Sequence, residues 1–408
     1  MNILIYGINY APELTGIGKY SGEMGKWLAD RDHKVKVITA FPYYPNWEIQ
    51  EPYRANWWKK EHISQNESII RCPLYIPRQL SSLKRILHEL SFLITSSIAL
   101  FFALFSKTEV IINIVTPFHL GIPARIFAWL KGIPMVYHIQ DLQVDAAKDL
   151  GMIKNERLLT IMSRLEQWIL KKADVISSIS SGMINKIQAK GIDERKIYFF
   201  PNWVDTNFIK PLPKAQSLRK KFGYSPTDHI ILYAGNLGKK QGLDVLIDVA
   251  RKFQNSPNLK FVIAGEGGTK SELLRRSEQY NLQNVHFLPL QPLADLPALL
   301  AMADLHLVLK KKAAADLVMP SKLTTILAAG GCSLITAEEG STLHHLVDKY
   351  ELGILVEPES ERALYEGLVN ALNQDLDYYK KNARHYAKQQ LNRDRILKNF
   401  EQMLITLK

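Results

Sequence analysis

Short apolar runs with strand character alternate with helical periods along the whole of this 408-residue chain, and that alternation limits its fold more than any other feature. In the first half the runs fall at Ile3–Tyr6, Val35–Thr39, Val110–Ile114, Met135–His138, Val175–Ser178 and Ile197–Phe200. In the second they fall at Ile230–Ala234, Lys260–Ile263, Val285–Phe287, Leu305–Leu309, Ser333–Ile335 and Gly353–Val356. Helical periods such as Gly18–Asp30, Gly121–Leu130, Leu243–Phe253 and Leu293–Met302 lie between them. Repeated βαβα order predicts parallel sheets covered by helices on both faces, built twice over. A chain this long exceeds one ordinary core. The expected domains are residues 1–201 and 202–376, with Pro201-Asn-Trp-Val-Asp205 and the Pro211–Pro213 stretch at the change. A charged helix over 377–408 is long enough to pack back across the first domain.

With 47% hydrophobic and 23% charged residues, the composition is that of a globular protein. Only two cysteines occur, Cys72 and Cys332, without a metal-ligand pattern. That fits a reducing cytosol and predicts neither a disulfide scaffold nor a zinc site. Met1-Asn2-Ile-Leu-Ile-Tyr6 reads directly as a buried strand, so no signal peptide is expected. The net charge is +12, and residues 52–107 hold eight Lys/Arg against three Glu. The same stretch carries Trp57, Trp58 and the apolar run Leu90–Phe105, sixteen residues with four hydroxyls. A bilayer span needs about 20 residues. The run is therefore read either as a buried helix of the first domain or as an amphipathic contact lying on a membrane surface beside Lys84 and Arg85. Nucleic acid is not an expected partner, because no helix-turn-helix, RRM or OB signature accompanies the basic residues.

Candidate chemistry gathers where strands turn into helices, since ligands of open α/β sheets bind beyond the carboxyl ends of the strands. Asp316-Leu-Val-Met-Pro-Ser321-Lys322 leads into an Ala/Gly-rich helix start, which would present backbone N–H groups and Lys322 to an anion. Upstream, Gly235-Asn236-Leu-Gly238-Lys239-Lys240-Gln241-Gly242 forms a second strand-to-helix loop, and the two together suggest a nucleotide diphosphate pocket. Gly265-Glu266-Gly267-Gly268 suits contact with a base or ribose, or is an ordinary turn. Lys310-Lys311-Lys312 is a solvated face or a set of charges near phosphates. In the first half, Gly16 and Gly18 with Thr15 would let the backbone approach a phosphate or sugar. Gly16 lies too far past its strand for a dinucleotide fingerprint, and Thr39-Ala40-Phe41 offers no acid for a ribose, so NAD is not expected. His138, Asp141 and Asp145 follow a strand and can orient substrate hydroxyls. The alternative for His138 is a core hydrogen bond, and for Asp145 a solvated helix start.

At these residues the chain resembles a retaining glycosyltransferase of GT-B family four. It is similar to the bacterial O-antigen and colanic-acid branch that handles L-fucose or N-acetyl-L-fucosamine. The resemblance rests on Tyr6-Gly-Ile-Asn-Tyr-Ala-Pro-Glu-Leu-Thr-Gly-Ile-Gly-Lys-Tyr20, Pro42-Tyr-Tyr-Pro45, Phe199-Phe-Pro-Asn-Trp203, Gly235–Gly242 and Leu288–Leu300. It implies an α/β protein of two Rossmann-like domains facing across a cleft. The second domain would hold the donor nucleotide, UDP or GDP, the first would bind the acceptor, and neither metal nor cofactor is needed. The family's loop arginine and lysine are replaced here by Asn236 and Gln241, leaving Lys239, Lys240 and Lys322 to supply charge. Of the family's glutamate pair, the ribose partner falls at Thr325 or Thr324, and Asp316 approximates the other.

The resulting expectation is glycosyl transfer from a nucleotide diphosphate sugar to a lipid-linked saccharide in surface polysaccharide biosynthesis. The enzyme would lie in the cytoplasm, on the inner face of the membrane through residues 52–107. His138, Asp316 and Lys322 are the expected catalytic residues. Gly16, Gly18, Asn236, Lys239, Lys240, Gln241, Gly265, Glu266, Ser321, Lys322 and Thr325 are expected at the nucleotide, and Thr15, Asp141 and Asp145 at acceptor or sugar. Rival readings are a non-hydrolysing nucleotide-sugar 2-epimerase, which needs several carboxylates in its cleft, and an inactive transferase-like scaffold.

Overall fold

The structure is a computed structural model and describes residues 1–13, 16–54, 57–79, 81–149, 153, 155–312 and 320–407. It divides into two compact units, one of Met1–Asn202 with the segment from Leu397 onward, the other of Trp203–Ile396.

The first unit runs β1 (Asn2–Tyr6), α1 (Gly16–Ala29), β2 (Lys34–Ala40), β3 (Lys59–His62), β4 (Glu67–Cys72), α2 (Ser82–Ala103) and β5 (Val110–Val115). It continues through α3 (Gly121–Lys131), β6 (Met135–Ile139), α4 (Gln143–Asp149), α5 (Glu156–Lys172), β7 (Val175–Ser178), α6 (Ser181–Ala189) and β8 (Ile197–Phe199). Its sheet has the order β3-β4-β2-β1-β5-β6-β7-β8, parallel except for the β3 edge. Ile3 pairs with Val35 on one side and Val110 on the other, so the order of strand addition reverses at β1 while the strands stay parallel. Ile3, Leu4, Ile5 and Tyr6 are at most 1% exposed because helices cover both sheet faces. Each such side chain contributes roughly 1.5–3 kcal/mol by leaving water.

The β3–β4 hairpin did not stand out from the sequence because Lys-Lys-Glu-His and Glu-Ser-Ile-Ile-Arg-Cys carry little apolar periodicity. Polar pairs hold it instead: Arg71, 2% exposed, donates to Glu61 at 2.8 Å, and the Tyr10 hydroxyl donates to buried Glu67 at 2.8 Å.

The second unit contains β9 (His229–Ala234), α7 (Asp244–Lys252), β10 (Leu259–Ala264), α8 (Lys270–Gln279), β11 (Val285–Leu288), α9 (Leu296–Leu300) and β12 (Leu305–Val308). After β12 come α10 (Ser321–Ala328), β13 (Ser333–Thr336), α11 (Thr342–Tyr350), β14 (Gly353–Val356), α12 (Glu361–Leu372) and α13 (Asp377–Gln390). The order β11-β10-β9-β12-β13-β14 is wholly parallel, with the reversal between β9 and β12. Both sheets are thus Rossmann-like, and each has a switch point where a ligand can sit.

The single C-terminal helix expected over 377–408 is two helices, α13 and α14 (Arg393–Thr406). Asn392 makes the break. Its Oδ1 accepts from Arg395 N at 2.9 Å while its Nδ2 donates to Thr206 at 2.6 Å. Val204 N also donates to the Leu391 carbonyl at 2.8 Å, tying the break to the start of the second unit. Further along α14, within the first unit, Phe400 stacks on Phe200 with ring centroids 3.9 Å apart, and Glu401 accepts from Arg31 and His33.

Candidate donor site

Beyond the carboxyl ends of β9 and β10 two glycine loops lie backbone to backbone. Gly235 N donates to the Ala264 carbonyl and Leu237 N to the Glu266 carbonyl, each at 2.9 Å. A Cβ on Gly265 would lie 1.9 Å from the Gly235 oxygen, and one on Gly267 would lie 2.4 Å from the Leu237 oxygen. Only glycine allows this approach. Gly265 and Gly267 therefore have a packing role that serves the loop around Gly235, whereas a Cβ on Gly268 would meet nothing within 4 Å.

Against that loop stands Lys322 in the first turn of α10. The residue as a whole is half-buried, but its Nζ is enclosed and has no hydrogen-bond partner among the described residues. The ammonium lies 3.7 Å above the centre of the Tyr233 ring. Tyr233 is held in turn by donation of its hydroxyl to the Asn236 carbonyl at 2.7 Å. Burial, with repulsion from Lys310, lowers the Lys322 pKa to about 7. An enclosed cation whose neighbour among the described residues is an aromatic face gains a great deal from an anion. Here the anion has room. A pocket of about 170 Å³ opens beside Gly235, Lys322 and Thr325, with an apolar wall from Leu290, Pro292 and Leu296.

The other expected nucleotide residues lie around this point to differing degrees. Ser321 is exposed at the start of α10, which Pro320 precedes without a side-chain cap. The Thr325 hydroxyl donates to the Lys322 carbonyl at 2.8 Å. Asn236, Lys239 and Lys240 are exposed, and the Gln241 Oε1 reaches 3.1 Å from where a Gly238 Cβ would be. Glu266 is engaged with Lys270 at 2.6 Å. Of the Lys310–Lys312 run, Lys311 faces Asp244 at 3.6 Å and Lys312 faces Glu357 at 2.9 Å, so those two are paired surface charges. Asp316 and Thr15 lie outside the described residues.

The remaining expected residues belong to the first unit. Gly16 and Gly18 open α1, where a Cβ on Gly18 would meet Glu13 at 2.5 Å. Glu13 is itself buried and accepts from the backbone of Tyr43 and Tyr44. His138 is 2% exposed within β6. Its Nδ1 pairs with Ser177 at 2.9 Å and its Nε2 with Gln140 at 3.0 Å. Burial lowers its pKa to about 3, so it is a neutral core imidazole with both nitrogens engaged. Asp141 is half-buried past the end of β6. Asp145 shares Lys190 with Glu166, an ion-paired group between α4 and α5. Sequence reasoning passed over Tyr233 as a functional residue, although it stands two places before Gly235. An aromatic one place inside a strand end is no signal without the lysine above it.

Two Rossmann-like parallel α/β units, the second with an enclosed lysine ammonium at a helix start past its switch point, define a two-domain α/β protein. Residues 15–203 match the family described as glycosyl transferase 4-like domain, and residues 214–390 match the family described as glycosyl transferases group 1. The chain is 42% identical over 406 residues to the putative colanic acid biosynthesis glycosyl transferase WcaI of Escherichia coli K12, covering 98% of each. It belongs to the group 1 glycosyltransferases. Among solved structures it is similar to sucrose-phosphate synthase from Thermosynechococcus elongatus, with TM-score 0.75, 16% identity and 100% and 99% of the two chains covered. It is also similar to Anabaena HepE in complex with UDP, with TM-score 0.72, 16% identity and all of both chains covered. At that identity the likeness is one of fold, and it is the two-domain GT-B fold of glycosyltransferases.

Proposed function

We propose that this glycosyltransferase is a retaining enzyme that takes an L-fucose-type sugar from a nucleotide diphosphate donor, UDP- or GDP-linked, and adds it to a lipid-linked saccharide. One observation carries the reading: the enclosed Lys322 ammonium, which has no hydrogen-bond partner among the described residues, beside a pocket at the switch point of the second unit. As the sugar departs with oxocarbenium character, negative charge grows on the diphosphate. Lys322 and the backbone N–H groups at the α10 start stabilise that charge, with no divalent cation required. The acceptor attacks on the face the diphosphate leaves, and a diphosphate oxygen takes its proton.

The likeness to WcaI supports a place in surface polysaccharide assembly, and UDP bound by HepE supports a nucleotide donor. An epimerase is less well supported, because no carboxylate stands among the described residues that line the Lys322 pocket. The test is a panel of UDP- and GDP-sugars incubated with a membrane extract. Incorporation of one sugar into the lipid fraction is expected, with no conversion of donor when extract is omitted. Absence of calorimetric heat with both UDP and GDP would overturn the assignment.

The acceptor lies in a membrane, and the protein meets it from the cytoplasmic face. In support, α2 is buried along Phe92, Ser96, Ala99 and Ala103, yet Ile94, Phe102 and the adjoining Phe105 are 65%, 66% and 81% exposed. The run is therefore both a core helix and an exposed apolar ridge, flanked in sequence by Lys84, Arg85 and Lys107. Such a helix binds anionic lipid surfaces by burying its ridge while its cations meet headgroups. The wild type is expected to float with vesicles containing phosphatidylglycerol, and the exchange Phe102→Glu with Phe105→Glu to leave it in the soluble fraction. Equal flotation of both would remove the ridge from membrane binding.

A further inference from the structure

At the amino end of the first sheet, where β1, β2 and β4 begin, a pocket of about 340 Å³ opens beside Lys34, Lys36, His62, Ser68, Ser106 and Lys107. It belongs to one face of the sheet edge, and strand alternation says which. Along β3, Lys59 and Glu61 point one way, Lys60 and His62 the other. The register extends this division across the edge. His62 pairs with Ser68 and Ser68 with Lys36, while Lys60 pairs with Ile70 and Ile70 with Ile38. On the face of Lys59 and Glu61 the charges are matched. Arg71 donates to Glu61, Lys59 lies 3.3 Å from Glu61, and the Tyr10 hydroxyl donates to Glu67. Lys36, Lys60 and His62 share the other face, and no acidic residue of β2, β3 or β4 does.

The helix α2 covers that second face: Ile38 pairs with Tyr6, whose hydroxyl meets Ser96 of α2 at 2.8 Å. The cations reach the loop that follows the helix. The Lys36 ammonium donates to Ser106 Oγ at 2.7 Å, and Ser106 donates to the Ala103 carbonyl at 2.8 Å. Lys34 donates to Asn66 Oδ1 at 2.6 Å. Among the described residues these two lysines thus have neutral partners. Lys36 is half-buried, and its pKa is lowered first by burial and then by Lys60. Like charges gathered without a counter-charge favour an anion between them. Glu67 also lines the pocket, but its carboxylate belongs to the opposite face, with Tyr10. The hydroxyls of Ser68 and Ser106 can donate alongside the ammonium groups, a donor set that suits phosphate oxygens. No Phe, Tyr or Trp lines the pocket among the described residues, so a base or sugar ring has nothing to stack on.

We propose that this pocket binds a phosphoryl group, held by the ammonium groups of Lys34, Lys36 and Lys107 and by the hydroxyls of Ser68 and Ser106. It is a site apart from the donor pocket at Lys322, which belongs to the other unit. Two sources carry that chemistry, the headgroup of a phospholipid and a soluble phosphate ester. The fold favours the headgroup. Ser106 and Lys107 follow directly on Phe105, which is 81% exposed at the end of the apolar ridge of α2. A lipid with its phosphate in the pocket has that ridge beside it for its chains. For this source the proposal rests on the membrane reading of α2; phosphate binding itself does not.

The experiment uses two probes, glycerol phosphate titrated by calorimetry and flotation with phosphatidylglycerol vesicles. Both are run in a Lys322→Ala background, so that the donor pocket adds nothing. Lys36→Gln with Lys107→Gln is expected to weaken glycerol phosphate binding about tenfold. Lys171→Gln with Lys172→Gln removes two exposed charges of α5 and is expected to leave that affinity unchanged. Lys107→Glu alone, at an exposed position, is expected to reproduce the loss, so a folding defect at half-buried Lys36 does not decide the result. Loss of flotation beyond that of the Lys171 and Lys172 variant assigns the phosphate to a headgroup. Loss confined to glycerol phosphate assigns it to a soluble ester. Equal behaviour of the two double variants with both probes overturns the site. Phe102→Ser with Phe105→Ser is expected to lose flotation and keep its affinity for glycerol phosphate. Retained flotation there, with the Lys36 and Lys107 variants still weakened, would overturn only the membrane reading of the ridge.

Discussion

Lys322→Ala is expected to lower kcat/KM by roughly 10²–10³-fold while leaving the protein folded. The ammonium is the only charged group lining the pocket at the β9–β12 switch point among the described residues, and the leaving diphosphate acquires its charge there. A point charge removed from an enclosed site cannot be replaced by water as it could be at the surface. The same substitution is expected to raise the melting temperature of the ligand-free protein. In that state Lys322 is an enclosed cation with the Tyr233 ring as its neighbour, which destabilises the native state relative to an alanine. Loss of activity with gain of stability separates a binding role from a structural one. Wild-type turnover in the variant would take Lys322 out of the mechanism.

Nucleotide binding is expected to take up protons above neutrality. Free Lys322 is held from 10.5 down to about 7, first by burial and then by Lys310. A diphosphate favours the charged form, so the bound pKa rises and one lysine proton is gained in the window above about 7. Calorimetry at pH 8 in buffers of different ionisation enthalpy reads that uptake directly. It should approach one proton for the wild type and vanish from this source in Lys322→Met. Because only the protonated fraction binds, affinity should also fall about tenfold per pH unit above neutrality. Stability has the opposite sign. Below about pH 7 the enclosed native lysine is charged and the cost of its burial is fully present. Between about 7 and 10.5 the unfolded chain binds more protons than the native one, so the ligand-free protein gains stability as pH rises. A flat pH dependence in both measurements would show that the ammonium is not enclosed.

The parallel sheets were readable because runs such as Ile230–Ala234 are apolar on both sides, which only a doubly covered strand needs. The β3–β4 hairpin was not, because its edge is held by Arg71–Glu61 and Tyr10–Glu67 pairs that no periodicity announces. Lys322 was legible through Pro320 before it and the small residues after it. Its enclosure by Tyr233 was not, since that contact joins positions far apart in the chain. His138 shows the reverse difficulty. A histidine at a strand exit has the same sequence context whether it faces substrate or fills the core, and here Ser177 and Gln140 occupy both of its nitrogens. The rings of Tyr43, Trp47 and His88, whose centroids lie 4.7–5.5 Å apart, were not legible as a cluster because His88 is far from the other two along the chain.

The chain leaves the first unit after Asn202 and rejoins it at Leu397. During synthesis, the larger part of that unit therefore emerges from the ribosome long before the segment that finishes its surface. Until α14 arrives, Phe200 lacks the ring it stacks on, and Arg31 and His33 lack the carboxylate of Glu401. A fragment expressed as residues 1–202 would stay in that unfinished condition, whereas one fusing Leu397 onward back to it through a short linker would carry every partner it needs.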